Sequence, residues 1–314
     1  MYTQIARNKR LAVVYMGLFF VGWVGVGALL GLIASHVSAQ PGMPAASGAD
    51  VVTGAIIFAV LAGGGILFSL RSGAQLVLSV SKARPADPAE FPQLHHIVEA
   101  LAIGDGIPKP AVYVIDDPSP NAFATGTSPQ RAAITATTGL LTMMNREELE
   151  GVIGHEMSHI KNYDVRLLLI VSTLIGIAGL VASMVWRSVF FMRPRRGRNG
   201  DQMMLVVLAA GALLALVAAV FGPLIRLALS RRREELADVS GVELTRNPAG
   251  LISALRKLQE NDQPFATFNH ATAAMCIDDP LQHHEGWLHR LFDTHPPISE
   301  RIAILERIAT GTSV

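Results

Sequence analysis

The stretch GVIGHEMSHIKNYDVRLLLIVSTLIGIAGLV, Gly151 to Val181, joins two chemistries that seldom share one segment. Its first half sets His155 and His159 four residues apart with Glu156 beside the first, and its second half, from Leu167 onward, carries no charge. On an α-helix, side chains four apart are turned by about 40° and stacked one turn along the axis, so both imidazoles can converge on one ion. A carboxylate next to them is placed to hold a water that a metal has acidified and to take its proton. The plain alternative is two histidines on a solvated helix face. The apolar half, in turn, is long enough to cross lipid.

Working outward, the chain has 314 residues, 50% of them hydrophobic and only 16% charged. That balance is too apolar for an ordinary soluble domain. The excess is concentrated in four uncharged stretches, Leu11 to Ser35, Val51 to Leu70, Leu167 to Trp186 and Gln202 to Ile225. Each is at or above the roughly 20 residues that span a bilayer as helix, and none shows the polar stripe of a core helix. The first is too long for a signal-peptide core and is expected to be an uncleaved anchor. Arg7, Lys9 and Arg10 precede it, whereas the loop from His36 to Asp50 has no Lys or Arg, so the N-terminus is expected to face the cytoplasm. A net charge of +1 without a basic stripe argues against nucleic acid. A single cysteine, Cys276, excludes an internal disulfide.

Between Ser81 and Asp164 the composition is that of a soluble domain. FPQLHHIVEALAIGDGIPKP predicts a short helix stopped by Gly and Pro, AVYVID a buried strand, and NAFATGT and AAITATTGLL two further strands. Asn145 offers an N-cap, with Glu147 and Glu148 in the first turn of the helix that carries the motif. That helix is expected to run on toward the apolar segment, with Arg166 marking the boundary.

A catalytic zinc needs a third protein ligand and keeps one position for water. The candidate lies beyond both later apolar stretches, in SRRREELADVSGVELTRN, where Glu234 and Asp238 are four apart on an expected helix and Glu235 is the confusable neighbour. An Asp one turn after a ligating Glu can accept the free ring N–H of a ligating His and fix its tautomer. Because ligands on either side of residues 167–225 must meet at one ion, that apolar segment must leave the polar part and return on the same side. Two spans satisfy this, and a hairpin that dips into the membrane or lies against the protein is the alternative.

NAFATG at Asn121 to Gly126, GVIGHEMSHIKNYD, SRRREELAD and THPPISERI at Thr294 to Ile302 resemble the four signature blocks of the HtpX-type membrane zinc metalloproteases, relatives of the CaaX prenyl-protein endopeptidases. The resemblance covers nearly the whole chain. It implies one zinc per chain held by His155, His159 and Glu234, with Glu156 as general base and acid and Asp238 as partner of a ligating His, by preference His155. The fold it implies is a multi-pass α-helical membrane protein with a cytoplasmic α+β zincin domain of the gluzincin type. The corresponding division is residues 1–80 for two transmembrane helices, 81–166 and 226–314 for the two parts of the protease domain, and 167–225 for the apolar hairpin.

It also implies proteolysis of unfolded, misfolded or damaged membrane proteins at the cell inner membrane. Asn121, Ala122, Phe123 and Ala124 would form an edge strand that pairs an extended substrate, against the alternative of an ordinary buried strand. His295 would either donate to the oxyanion or only begin the terminal helix, with Pro296 and Pro297 near its first turn and Arg301 bridging to the core, and Tyr163 is a weaker oxyanion candidate. A scaffold or binding protein with a structural metal site is the reading from another class.

Overall fold

A computed structural model describes residues 2–38, 48–191, 208, 211, 213, 231–260 and 297–310. In chain order it has helices α1 (Tyr2–Ser38) and α2 (Gly48–Val80), strand β1 (Arg84–Pro85), helix α3 (Pro92–Asp105), strands β2 (Ala111–Ile115), β3 (Ala122–Gly126) and β4 (Ala132–Thr137), and helices α4 (Thr138–Met143), α5 (Arg146–Lys161) and α6 (Asp164–Phe191). Beyond these come α7 (Arg231–Thr245), α8 (Pro248–Gln259) and α9 (Ile298–Ala309).

The chain divides into two compact units. The first gathers Met1–Arg10, Ser72–Leu169 and Ile225–Val314, and the second gathers Leu11–Arg71 and Ile170–Leu224. In the first, a four-stranded sheet has the order β1-β2-β4-β3. β2 and β4 run parallel, with Val112 opposite Ile134, while β3 is antiparallel to β4, with Ala124 opposite Ile134. β3 is therefore an edge.

Apolar residues of α3 (Leu94, Ile97, Val98), the sheet (Val114, Ile134), α5 (Leu149, Val152, Ile153, Met157, Ile160), α8 (Leu251, Leu255) and α9 (Ile302, Leu305) form one core. α5 lies at its centre and is buried along nearly its whole length. Its start is fixed by a reciprocal cap: Asn145 Oδ1 accepts from the Glu148 N–H at 2.9 Å, and Glu148 Oε2 accepts from the Asn145 N–H at 2.8 Å.

Two local expectations are corrected. The strand expected to reach Leu141 stops at Thr137, whose hydroxyl accepts from the Leu140 N–H at 3.2 Å and so caps α4. The motif helix does not run on into the apolar segment: α5 ends at Lys161, Asn162 is its C-cap, and Tyr163 adopts φ 61° before α6 begins at Asp164. A residue in the left-handed region cannot continue a right-handed helix, so the two helices meet at an elbow.

In the second unit α1 and α2 are in backbone contact. A Cβ added at Gly27 would stand 2.3 Å from the Gly54 carbonyl oxygen, and one at Gly54 2.2 Å from that of Gly27. Such approach through small residues is how helices associate in lipid. Phe19, Trp23 and Phe58 stack alongside, while Val13, Leu18, Val21, Val52, Ile56, Val60 and Leu67 are exposed. Ile5–His36 and Gly48–Val80 are the two segments among the described residues that are long and apolar enough to cross a membrane. The fourth apolar stretch lies outside the described residues apart from Leu208, Gly211 and Leu213.

Candidate metal centre

α5 delivers His155 and His159 to the same side of its axis, and α7 crosses it with Glu234 facing them. The crossing is close because both helices carry glycine there: a Cβ on Gly241 would meet the His155 backbone nitrogen at 2.9 Å, and one on Gly154 would meet Thr245 Cγ2 at 2.9 Å. The imidazoles stand nearly perpendicular, 89° between planes, with Nε2 atoms 3.2 Å apart. Glu234 Oε2 lies 3.5 Å from His155 Nε2 and its Oε1 3.7 Å from His159 Nε2. Among the described residues this is the group whose donor atoms could share one metal ion. His155, Glu156 and Glu234 are 1%, 2% and 1% exposed, which removes the solvated-face alternative.

The outer ring nitrogens are each met by a carboxylate. His155 Nδ1 lies 2.8 Å from Asp238 Oδ1, and His159 Nδ1 lies 3.3 Å from Asp164 Oδ2. Accepting the Nδ1–H in this way turns the Nε2 lone pair inward and makes it a better donor to a cation. Asp238 is itself held by Arg301 of α9, whose Nε donates to Oδ2 at 2.9 Å and whose Nη2 donates to Oδ1 at 2.7 Å. Burial alone would raise the Asp238 carboxyl, but the Arg301 guanidinium and His155 outweigh it and hold the group down at about 2.

Burial and Arg301 push the His155 imidazole down, yet Asp238 and Glu234 prevail and raise it to about 9. Burial lifts the Glu156 carboxyl above the usual carboxylate range against the opposing pull of both histidines.

The backbone of Ala124 on β3 lies near enough to Glu156 to exert a small downward pull on its carboxyl. In an antiparallel pair, backbone groups alternate between facing the partner and facing away. The Thr137 N–H donates to the Asn121 carbonyl at 2.9 Å, so Asn121, Phe123 and Thr125 face β4 and Ala122 and Ala124 face the free edge. The Ala122 N–H is taken by Asn121 Oδ1 at 2.8 Å. Thus the edge bearing Asn121 to Ala124 lies beside Glu156. Glu235, half-buried, takes no part in the cluster, and His295 lies outside the described residues.

Sequence reading did not identify Asp164, Arg301's grip on Asp238, or the Gly154–Gly241 crossing. Asp164 carried a usable signal, an acidic residue just past a His-bearing helix, but its role depends on the elbow at Tyr163.

Residues 88–309 match the family described as Peptidase family M48. The chain is 41% identical over 313 residues to a protease HtpX homolog of Lactobacillus helveticus, covering 98% of this chain and 100% of that protein. It is 41% identical over 314 residues to a protease HtpX homolog of Streptococcus mutans, with the same coverage. Among solved structures, that of Ste24p from S. mikatae aligns with a TM-score of 0.48 and 18% identity, covering 80% of this chain and 58% of that chain.

Proposed function

The chain belongs to peptidase family M48 and is a membrane metalloendopeptidase, and from that premise we propose that it uses zinc held by His155, His159 and Glu234 to hydrolyse peptide bonds. The observation that carries this reading is the spacing of the three inward donors. Ligand atoms around a tetrahedral zinc at about 2.0–2.1 Å stand about 3.3 Å from one another; the two Nε2 atoms are 3.2 Å apart, and each has a different Glu234 oxygen near it, at 3.5 Å from His155 and 3.7 Å from His159. Both rings turn Nδ1 toward a carboxylate and Nε2 inward, the orientation that a shared cation needs.

Zinc bound there supplies Lewis acidity toward the scissile carbonyl and makes water a nucleophile near neutral pH. Glu156, lifted in basicity by burial, takes a proton from the attacking water and returns it to the leaving amine. The free edge of β3, from Asn121 to Ala124, pairs with an extended substrate chain and lays its backbone alongside Glu156. Small side chains at Ala122 and Ala124 permit that approach. His295 is the residue to test as oxyanion donor.

An extended, backbone-paired substrate favours unfolded chains. With α1 and α2 attached to the same polypeptide, unfolded or damaged membrane proteins are the substrate class we favour, in quality control at the cell inner membrane with the catalytic part in the cytoplasm. The polytopic division 1–80, 81–166, 167–225 and 226–314 belongs to this proposal. Membership in the peptidase family sets aside the scaffold alternative.

The test is purification in detergent with a chelator, followed by zinc addition and assay on a denatured, fluorescently labelled protein. Glu156→Gln is expected to bind one zinc per chain and to lose cleavage by about 10²–10⁴-fold, the usual worth of a general base. Cleavage at the wild-type rate would sink the mechanism.

A further inference from the structure

One buried polar side chain has no part in the chemistry above. Asn8 lies on α1 just ahead of its apolar run, belongs to the same compact unit as α5, and is 1% exposed. An amide so buried is costly unless bonded, so its partners are informative. Its Nδ2 donates to Asp164 Oδ1 at 2.7 Å and to the Asn162 carbonyl oxygen at 2.9 Å. Asp164 turns its other oxygen toward His159 Nδ1, at 3.3 Å. Asn162 is the C-cap of α5, where backbone carbonyls lack helical partners. Asn8 therefore bonds the carboxylate that faces His159 and also the end of the helix that bears it. Next to it, the Lys9 ammonium sits 4.2 Å from the centre of the Tyr163 ring, over the elbow residue.

We propose that Asn8 is a positioning residue of the metal centre, holding Asp164 and the α5–α6 elbow so that His159 presents Nε2 to the ion. The inference rests on the reading of His159 as a zinc ligand. Both partners are acceptors, and the NH₂ group supplies two donors from one atom, while Asn8 Oδ1 is buried without a hydrogen-bond partner. A carboxylate at position 8 would face two acceptors, and an apolar side chain would leave both without this donor. Arg233 adds charge on the same oxygen: its Nε pairs with Asp164 Oδ1 at 3.7 Å, whereas the Asn8 amide bonds it at 2.7 Å. The segment ahead of the first apolar run is thus a strut of the active site as well as the start of an anchor.

The experiment is a double-mutant cycle on the full-length protein in detergent, with Asn8→Ala, Asp164→Asn and the double variant. Zinc affinity is read by competition with a chromophoric chelator, and ligand geometry by the visible spectrum of the cobalt(II)-substituted protein. Asn8→Ala is expected to weaken zinc about 10–100-fold, as loss of an outer-shell partner does, and to shift the cobalt spectrum. In the Asp164→Asn background the same change should cost no more than about twofold, because the path through Asp164 is already broken. Equal losses in both backgrounds, or unchanged affinity and spectrum in Asn8→Ala, would overturn the proposal. If the alanine variant does not accumulate, Asn8→Ser, which keeps one donor, takes its place in the cycle, and equal losses or unchanged affinity and spectrum overturn the proposal there too. His159→Ala separates the two readings: wild-type zinc affinity there would remove the ligand assignment, whereas lost affinity there with intact affinity in Asn8→Ala would remove this inference alone.

Discussion

Asp238 sits between two demands, since one oxygen faces the His155 ring and both accept from Arg301. Asp238→Asn keeps the size but replaces one acceptor with an NH₂ group, so zinc affinity should fall about 10–100-fold in chelator competition. Arg301→Met leaves a buried carboxylate short of its counter-charge and should destabilise the fold by about 3–5 kcal/mol, read by urea unfolding in detergent. Asp238 was legible in the sequence because it follows Glu234 by one helical turn, a spacing that periodicity exposes. Asp164 was not, because it follows His159 across a helix break that no period predicts. Arg301 was read as a bridge to the core without its partner Asp238, and Asn8, 156 positions before Asp164, was not read at all, because only tertiary folding brings these pairs together.

At the scale of elements, the helices that carry His155 and Glu234 owe their closeness to glycine. With a Cβ at Gly241 only 2.9 Å from the His155 nitrogen and 3.1 Å from the Gly154 carbonyl carbon, α7 must shift outward, and Glu234 lies two turns earlier on the same face. Gly241→Ala should therefore destabilise by about 1–3 kcal/mol in unfolding titrations and also weaken zinc retention against a chelator. The start of α5 carries a pH signature. Burial would raise the Glu148 carboxyl, but Lys257 at 2.6 Å, Ser253 at 2.7 Å and the Asn145 N–H lower it overall. A carboxyl lower in the folded than in the unfolded state adds stability above its unfolded pKa and loses it as pH falls through the folded value. Glu148→Gln should be less stable at neutral pH and show a flatter acid limb of stability against pH. Elements with strong periodicity or clear caps, α3, α5 and α7, could be read from sequence. The end of β4 and the elbow could not, because Thr137 is as much a strand residue as a cap and Tyr163 has no intrinsic preference for positive φ.

For the whole molecule, composition pointed to the membrane because apolar side chains that a soluble protein would bury remain on the surface of α1 and α2. The proposed orientation rests on charge. Arg7, Lys9 and Arg10 precede the first apolar run and no Lys or Arg lies between His36 and Asp50, which favours a cytoplasmic N-terminus. Met1–Arg10 and Ser72–Leu169 belong to one compact unit, which agrees with the proposal that the chain before α1's apolar run and the chain after α2's lie on one side of the bilayer. Two crossings would meet that condition, and the residues proposed to bind the metal would then share the compartment of the N-terminus. Cysteine labelling in intact cells decides it, because Cys276 is the protein's single cysteine and falls in the second polar part of the sequence. The wild type should not be labelled by a membrane-impermeant maleimide in intact cells, whereas Ala49→Cys, exposed at the start of α2, should react from outside before lysis. Labelling of wild-type Cys276 in intact cells would invert the orientation and place the active site outside the cytoplasm.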